Sequence, residues 1–242
     1  MTAAEGQPSE AHGHQHRDVS GGWLRPAVFG AMDGLVTNVS LIAGVGAGVS
    51  AAHGSQHFIV LTGLAGLAAG AFSMATGEYV SVSSQNELVA AEVRKERHEL
   101  EHNSESERLE LAETFRMRGV DPDLADAVAT QLSAQPGRAL DLHIREELGV
   151  DPDELPSPIT AAAASLVTFA LGALIPLIPY LAGYDSLAAA LIIAAVAAFA
   201  GGGVVARLTD RPFLRGALRQ LLLGVVAAGV TYLIGRAVGG VA

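Results

Sequence analysis

The chain contains no cysteine. That excludes disulfides, thiolate metal sites and thiol nucleophiles, and it says nothing of redox compartment. Aromatic residues are scarce, at 5%. Basic residues are outnumbered, 15 Lys and Arg against 25 Asp and Glu, for a formal net charge of -10. With no basic stretch to neutralise phosphates, the composition argues against nucleic acid as a partner. What is abundant is apolar: half of the 242 residues are hydrophobic, 28 are Gly, and the mean hydropathy is +0.37. The length allows one or two domains.

The charge is unevenly spread. Residues 86–154 hold 18 acids and 8 bases, which is 26 of the 40 charges and the whole net -10. From Ile159 to Ala206 the one charged side chain is Asp185. A soluble protein cannot spare that much polar surface, whereas a bilayer span requires it.

Residues 1–22 form a polar tail with His12, His14 and His16, read as disordered. It has no apolar h-region and so does not read as a cleaved signal peptide. Residues 23–84 hold two apolar spans, 26–52 and 57–84. Residues 85–150 are charged and helix-patterned, and 151–158 is a linker whose three prolines exclude a continuous helix. Residues 159–242 hold three more spans, 159–182, 186–206 and 213–241. Each approaches or exceeds the ~20 residues needed to cross hydrocarbon. The expected fold is an all-α membrane protein. It has five transmembrane helices and a cytoplasmic three-helix metal-binding insert between the second and third.

Orientation follows the basic residues of short loops. Arg207 and Arg211 lie between spans four and five, Arg215 and Arg219 just inside span five, and Arg25 before span one. The N-terminus and insert are therefore expected in the cytoplasm and the C-terminus on the opposite side, in a multi-pass protein of the cell membrane if prokaryotic. Arg236, near the outer end, is expected to snorkel. Gly44-xxx-Gly48 and Gly66-xxx-Gly70 permit close helix contact.

Two acids interrupt the spans. Asp33 stands in Phe29-Gly-Ala-Met-Asp-Gly-Leu-Val-Thr-Asn38, and Glu78 in Ala71-Phe-Ser-Met-Ala-Thr-Gly-Glu-Tyr-Val-Ser81. A lone carboxylate in hydrocarbon costs several kcal/mol and usually lines a polar path. No Lys or Arg follows Arg25 in these spans, so the acids point to a cation or proton site. Met74, one turn from Glu78, would add a soft ligand beside a hard one, a pairing suited to Fe(II). The competing readings are packing for Met74 and a wet interfacial position for Glu78.

Outside the spans, Glu96, Glu99, Glu107 and Glu110 share one arc of a continuous helix over 86–113. Ser104-Glu-Ser-Glu107 has capping-box form, which would end one helix near Asn103 and start another. Either geometry clusters carboxylates suited to divalent cations, against the plain alternative of a solvated acidic face. A third helix is expected over 122–148, with His143 and Glu147 four apart as a ligand pair. Glu99-Leu-Glu-His102 has the Glu-x-x-His form of a di-iron bundle, but one motif is too few for that enzyme.

With these pieces together, the chain from Leu24 onward resembles the vacuolar iron transporter (VIT) family. The segments that carry the likeness are Phe29 to Asn38, Gly70 to Ser81 and the Glu-rich insert. The resemblance implies a homodimer exporting Fe(II) from the cytoplasm against protons, with the path between the first helices of both subunits. It implies metal contact at Asp33 and Met74, and metal binding at Glu96, Glu99, Glu107, Glu110 and Glu147. Where some members carry a Met pair before the last of these, this chain has His143 and Ile144. Whether His143 takes over as a ligand is open.

The expected activity is proton-coupled transport of Fe(II), or Mn(II), with Asp33 and Glu78 exchanging protons. No permanently bound cofactor and no enzyme activity are expected. The alternative is a membrane-anchored metal-binding protein that buffers without transport.

Overall fold

The computed structural model describes residues 22–51, 57–151 and 154–240. The polar tail with His12, His14 and His16 lies outside the described residues. Every regular element among those described is helical. They are α1 (Leu24–Ala51), α2 (His57–His102), α3 (Ser104–Met117), α4 (Pro122–Ser133), α5 (Pro136–His143), α6 (Pro158–Leu174), α7 (Ile178–Leu181), α8 (Leu187–Leu208) and α9 (Phe213–Gly239). A π-helical turn, Ile144–Leu148, continues α5, and a 3-10 turn, Ile175–Leu177, joins α6 to α7.

Five helical stretches are long and apolar enough to cross a membrane: Leu24–Ser50, His57–His102, Pro158–Leu181, Leu187–Leu208 and Phe213–Gly239. Large apolar side chains such as Phe58, Phe72, Leu171, Ile192 and Leu222 stand exposed on them. In water that surface would drive aggregation, but in hydrocarbon it needs no cover.

The helix α1 is the hub, touching α2, α6, α8 and α9. Small residues bring the backbones together. A Cβ on Gly172 would strike the Ala31 carbonyl oxygen, and one on Gly34 the Phe169 carbonyl, so α1 and α6 meet backbone to backbone. The α1 glycines Gly44 and Gly48 meet Gly235 and Gly239 of α9 in the same way. The expected small-residue motif therefore serves packing within one chain.

The end of α6 is broken by Pro176, which cannot donate to the helical ladder. At the edge of this break the fully buried Asn38 of α1 donates its Nδ2 to the Ala173 carbonyl, 2.5 Å away. An amide placed in a membrane helix thus satisfies backbone that hydrocarbon could not.

The second span does not end at the membrane. At ~1.5 Å per residue, a helix of 46 residues extends roughly 70 Å, more than twice the ~30 Å hydrocarbon thickness. Its outer half is the first arm of the polar insert. The chain corners at Asn103 (φ -126°, ψ 34°), where the backbone N–H donates to the Glu99 carbonyl at 2.7 Å. Of the two geometries open from the sequence, the broken helix is the one observed. The capping box itself does not form, because Asn103 rather than Ser104 is the N-cap and makes no side-chain cap bond. Glu107 turns inward instead.

The single helix expected over 122–148 is also divided. Pro136 has no N–H and biases Gln135 toward extended backbone, observed at φ -122°, ψ 93°. The helix α4 therefore stops at Ser133 and α5 restarts at Pro136. Leu111, Ala112 and Ala129 form the buried core of the insert, with Phe115, Leu132 and Leu142 packed on it. Arg116 bridges α3 to α4 through Asp126 at 2.6 Å. Gly149, at φ 65°, closes the π turn in a left-handed conformation that suits glycine.

Candidate metal centre

Four side chains from four separate pieces of the insert converge. Glu96 comes from the outer half of α2, Glu107 from the first turn of α3, His143 from the end of α5 and Glu147 from the π turn. Their ligating atoms all lie within 4.8 Å of one another. His143 Nδ1 is the centre, 3.1 Å from Glu96 Oε1, 3.3 Å from Glu147 Oε1 and 3.6 Å from Glu107 Oε2. The imidazole is 1% exposed and Glu107 8%, so only Glu147 opens widely to solvent.

The local fold explains the convergence. The corner at Asn103 turns α3 back so that its first turn faces the last turns of α2. The π turn widens the helix after His143 and sets Glu147 beside it. Such π-bulges are rare and often found at functional sites.

Burial is the largest influence on Glu96 and lifts its carboxyl to about 7, helped by the negative charge of Glu147 and, further, of Glu107. The nearby His143 pulls the other way. Glu107 is raised for the same first reason, burial, and next by the charge of Glu110. His143 Nε2 is buried without a hydrogen-bond partner, and Glu96 Oε1, though 3.1 Å from His143 Nδ1, accepts no well-aligned hydrogen bond. Buried polar atoms left unpaired need an explanation, and a bound cation is one. One imidazole nitrogen with three carboxylates is a donor set for a borderline divalent metal.

The other expected ligands lie elsewhere. Glu99 is outside this cluster. Its Oε2 accepts from Asn103 Nδ2 at 2.6 Å, bracing the corner of the chain. Glu110 is exposed and acts on the cluster through its charge on Glu107. His102 of the Glu-x-x-His motif places Nδ1 2.9 Å from the His98 carbonyl, so Glu99 and His102 do not share a site.

In the membrane helices, Asp33 is half-buried, with Thr37 Oγ1 3.5 Å from its Oδ1. Among the described residues no Lys or Arg pairs with it. Met74 is half-buried and packs on Ala71, Phe169 and Ala173. Glu78 lines a cavity of about 440 Å3 where α1, the middle of α2 and the linker after the insert meet. Arg25, Asn86, Asp151 and Glu154 share that wall. Sequence reasoning missed Asn86, whose Nδ2 donates to the Pro156 carbonyl at 3.0 Å and ties the linker to α2. Flanked by Gln85 and Glu87 at the polar end of the second span, Asn86 carried no distinguishing signal in the sequence.

Comparison with known proteins agrees with this layout. The family model described as "VIT family" matches residues 24–236. A protein named vacuolar iron transporter from Acanthamoeba castellanii is 38% identical over 237 residues, covering 92% of this chain and 82% of its own. Vacuolar iron transporter 1 of Arabidopsis thaliana is 28% identical over 230 residues, covering 94% of this chain and 90% of its own. Vacuolar iron transporter homolog 1 of Oryza sativa is 35% identical over 213 residues, covering 87% and 71%. A match over nearly the whole chain, on a multi-pass helical membrane architecture, makes this protein a member of the VIT family.

Proposed function

We propose that the chain exports Fe(II), or Mn(II), from the cytoplasm in exchange for protons. The carrying observation is the Glu96–Glu107–His143–Glu147 cluster, held at the end of a helix that runs without a break from the membrane. The insert collects the ion. Burial lifts the Glu96 carboxyl to about 7, so it is partly protonated at neutral pH when empty, and a cation displaces that proton. The ion then reaches the membrane path, where Asp33 is the fixed acid and Met74 a soft contact. Glu78, on the wall of the polar cavity below the insert, exchanges protons with Asp33 during the return. Glu99 and Glu110 enlarge the acidic approach to the cluster.

The cytoplasmic placement of the insert is supported by Arg25, Arg207, Arg211, Arg215 and Arg219, all at the insert's end of the helical bundle. The working form is a homodimer with its path between the two copies of α1, as the family resemblance implies. His143, an imidazole where some relatives have a thioether, makes the collecting site harder and so less selective against Mn(II).

Proteoliposomes carrying an internal pH dye and an internal metal dye test this. Fe(II) influx coupled to proton movement, and lost in Asp33→Asn, is expected. Metal binding without flux or proton movement would make the protein an anchored buffer instead.

A further inference from the structure

At the insert's end of the bundle, a second cavity of about 340 Å3 opens between α1, α8 and α9. Its polar wall is Arg25, Arg219 and Gln220, and its apolar wall includes Phe29, Met32 and Val205. The floor is set by small residues: a Cβ on Gly202 would meet the Gly216 carbonyl oxygen at 2.6 Å, so α8 and α9 touch there through backbone. No acidic side chain pairs with Arg25 or Arg219 among the described residues. Trp23, 60% exposed and two residues before Arg25, marks the level of the membrane interface.

Two arginines, an amide and an apolar slot at one interface match one ligand chemistry. Guanidinium groups take phosphate oxygens in a fork, the amide reaches an ester oxygen, and the slot takes the first carbons of a chain. Basic residues flanking a span ordinarily need no ligand, since they are held in place by the leaflet's diffuse charge. Here they come from two different helices and line one cavity, which diffuse attraction does not require.

We infer that this cavity is a binding site for one anionic phospholipid, its phosphate held between Arg25 and Arg219 and its chain along Phe29 and Met32. The bound lipid pins the start of α1 to α9. It acts at a site separate from the metal cluster and does not depend on the transport reading.

The test uses the full chain in neutral detergent, with lipid retention followed by native mass spectrometry. At about fivefold per arginine near an anionic surface, phosphatidylglycerol binds roughly thirtyfold tighter than phosphatidylcholine. Arg25→Gln with Arg219→Gln removes that preference. Arg25→Lys with Arg219→Lys keeps most of it, and Arg236→Gln, at the opposite end, leaves it intact. Equal binding of the two lipids by the unaltered chain overturns the proposal, whatever the variants do. So does a preference that survives the double Gln change. Competition by glycerol 3-phosphate as strong as that by the lipid also overturns it, since the site would then take a free phosphate.

Discussion

Glu96 Oε1 and His143 Nδ1 meet 3.1 Å apart, one from the outer half of α2 and the other from the last turn of α5. Two further carboxylates, Glu147 at 3.3 Å and Glu107 at 3.6 Å, face the same imidazole nitrogen. The contact joins the helix that leaves the membrane to the last helix of the insert, so binding at this point is mechanically connected to the second span.

Substituting the cluster should separate ligands from bystanders. His143→Ala, Glu96→Gln and Glu107→Gln are each expected to weaken Fe(II) or Mn(II) binding by at least roughly tenfold to a hundredfold, the loss typical even of an outer-shell partner. Glu99→Gln and Glu110→Gln are expected to weaken it several-fold less. Titration calorimetry on the detergent-solubilised chain measures both. Equal losses at Glu99 and Glu96 would show that the ligand set extends beyond the four residues.

Affinity should depend on pH with a definite sign. Glu96 is raised from 4.5 to about 7, so the folded apo protein binds a proton there more readily than the unfolded chain does. Its contribution to apo stability is thus full below about pH 4.5 and is lost as pH rises through 7. A metal ion reverses this by replacing the proton. Metal affinity is expected to fall as pH drops from 7.5 to 6, with proton release on binding, read as a buffer-dependent heat. A flat affinity across that range would contradict the placement of Glu96 beside the ion.

One amide satisfies the carbonyl beside the break in α6. Asn38→Ala leaves the Ala173 carbonyl in hydrocarbon without its partner, at a cost of about 1–3 kcal/mol. A lower Tm in detergent is expected, with metal binding by the insert unchanged.

Met74 has a packing position against Phe169 and a proposed metal contact. Met74→Leu conserves volume and should cost under about 1.5 kcal/mol. The expected result is a Tm lowered by no more than a few degrees with reduced Fe(II) flux. Unchanged flux would leave Met74 as a packing residue alone.

Much of this protein was legible from local composition. Five spans were visible because hydrocarbon tolerates almost no charge, so the scarcity of charged residues within 26–52, 57–84, 159–182, 186–206 and 213–241 locates the membrane helices without any knowledge of packing. The acidic character of the insert was equally plain. The break before α5 was missed in the sequence, because the helical pattern ran on past Pro136-Gly137. What no spacing rule could supply was which carboxylates meet. On a helical wheel Glu99 and Glu110 rank with Glu96 and Glu107, because each pair is three residues apart on one arc.

That choice was made by the corner at Asn103 and the π turn after His143, two departures from regular helix whose geometry depends on distant partners. Asn103 spends its side chain on Glu99, which removes that acid from the cluster, while the fold-back points Glu107 at His143. The sequence by itself determined where the chain is oily and where it is charged, because transfer from water to hydrocarbon is a property of each segment alone. Only the tertiary structure decided which charges share a site, because that depends on the relative placement of four helical pieces that no single segment encodes.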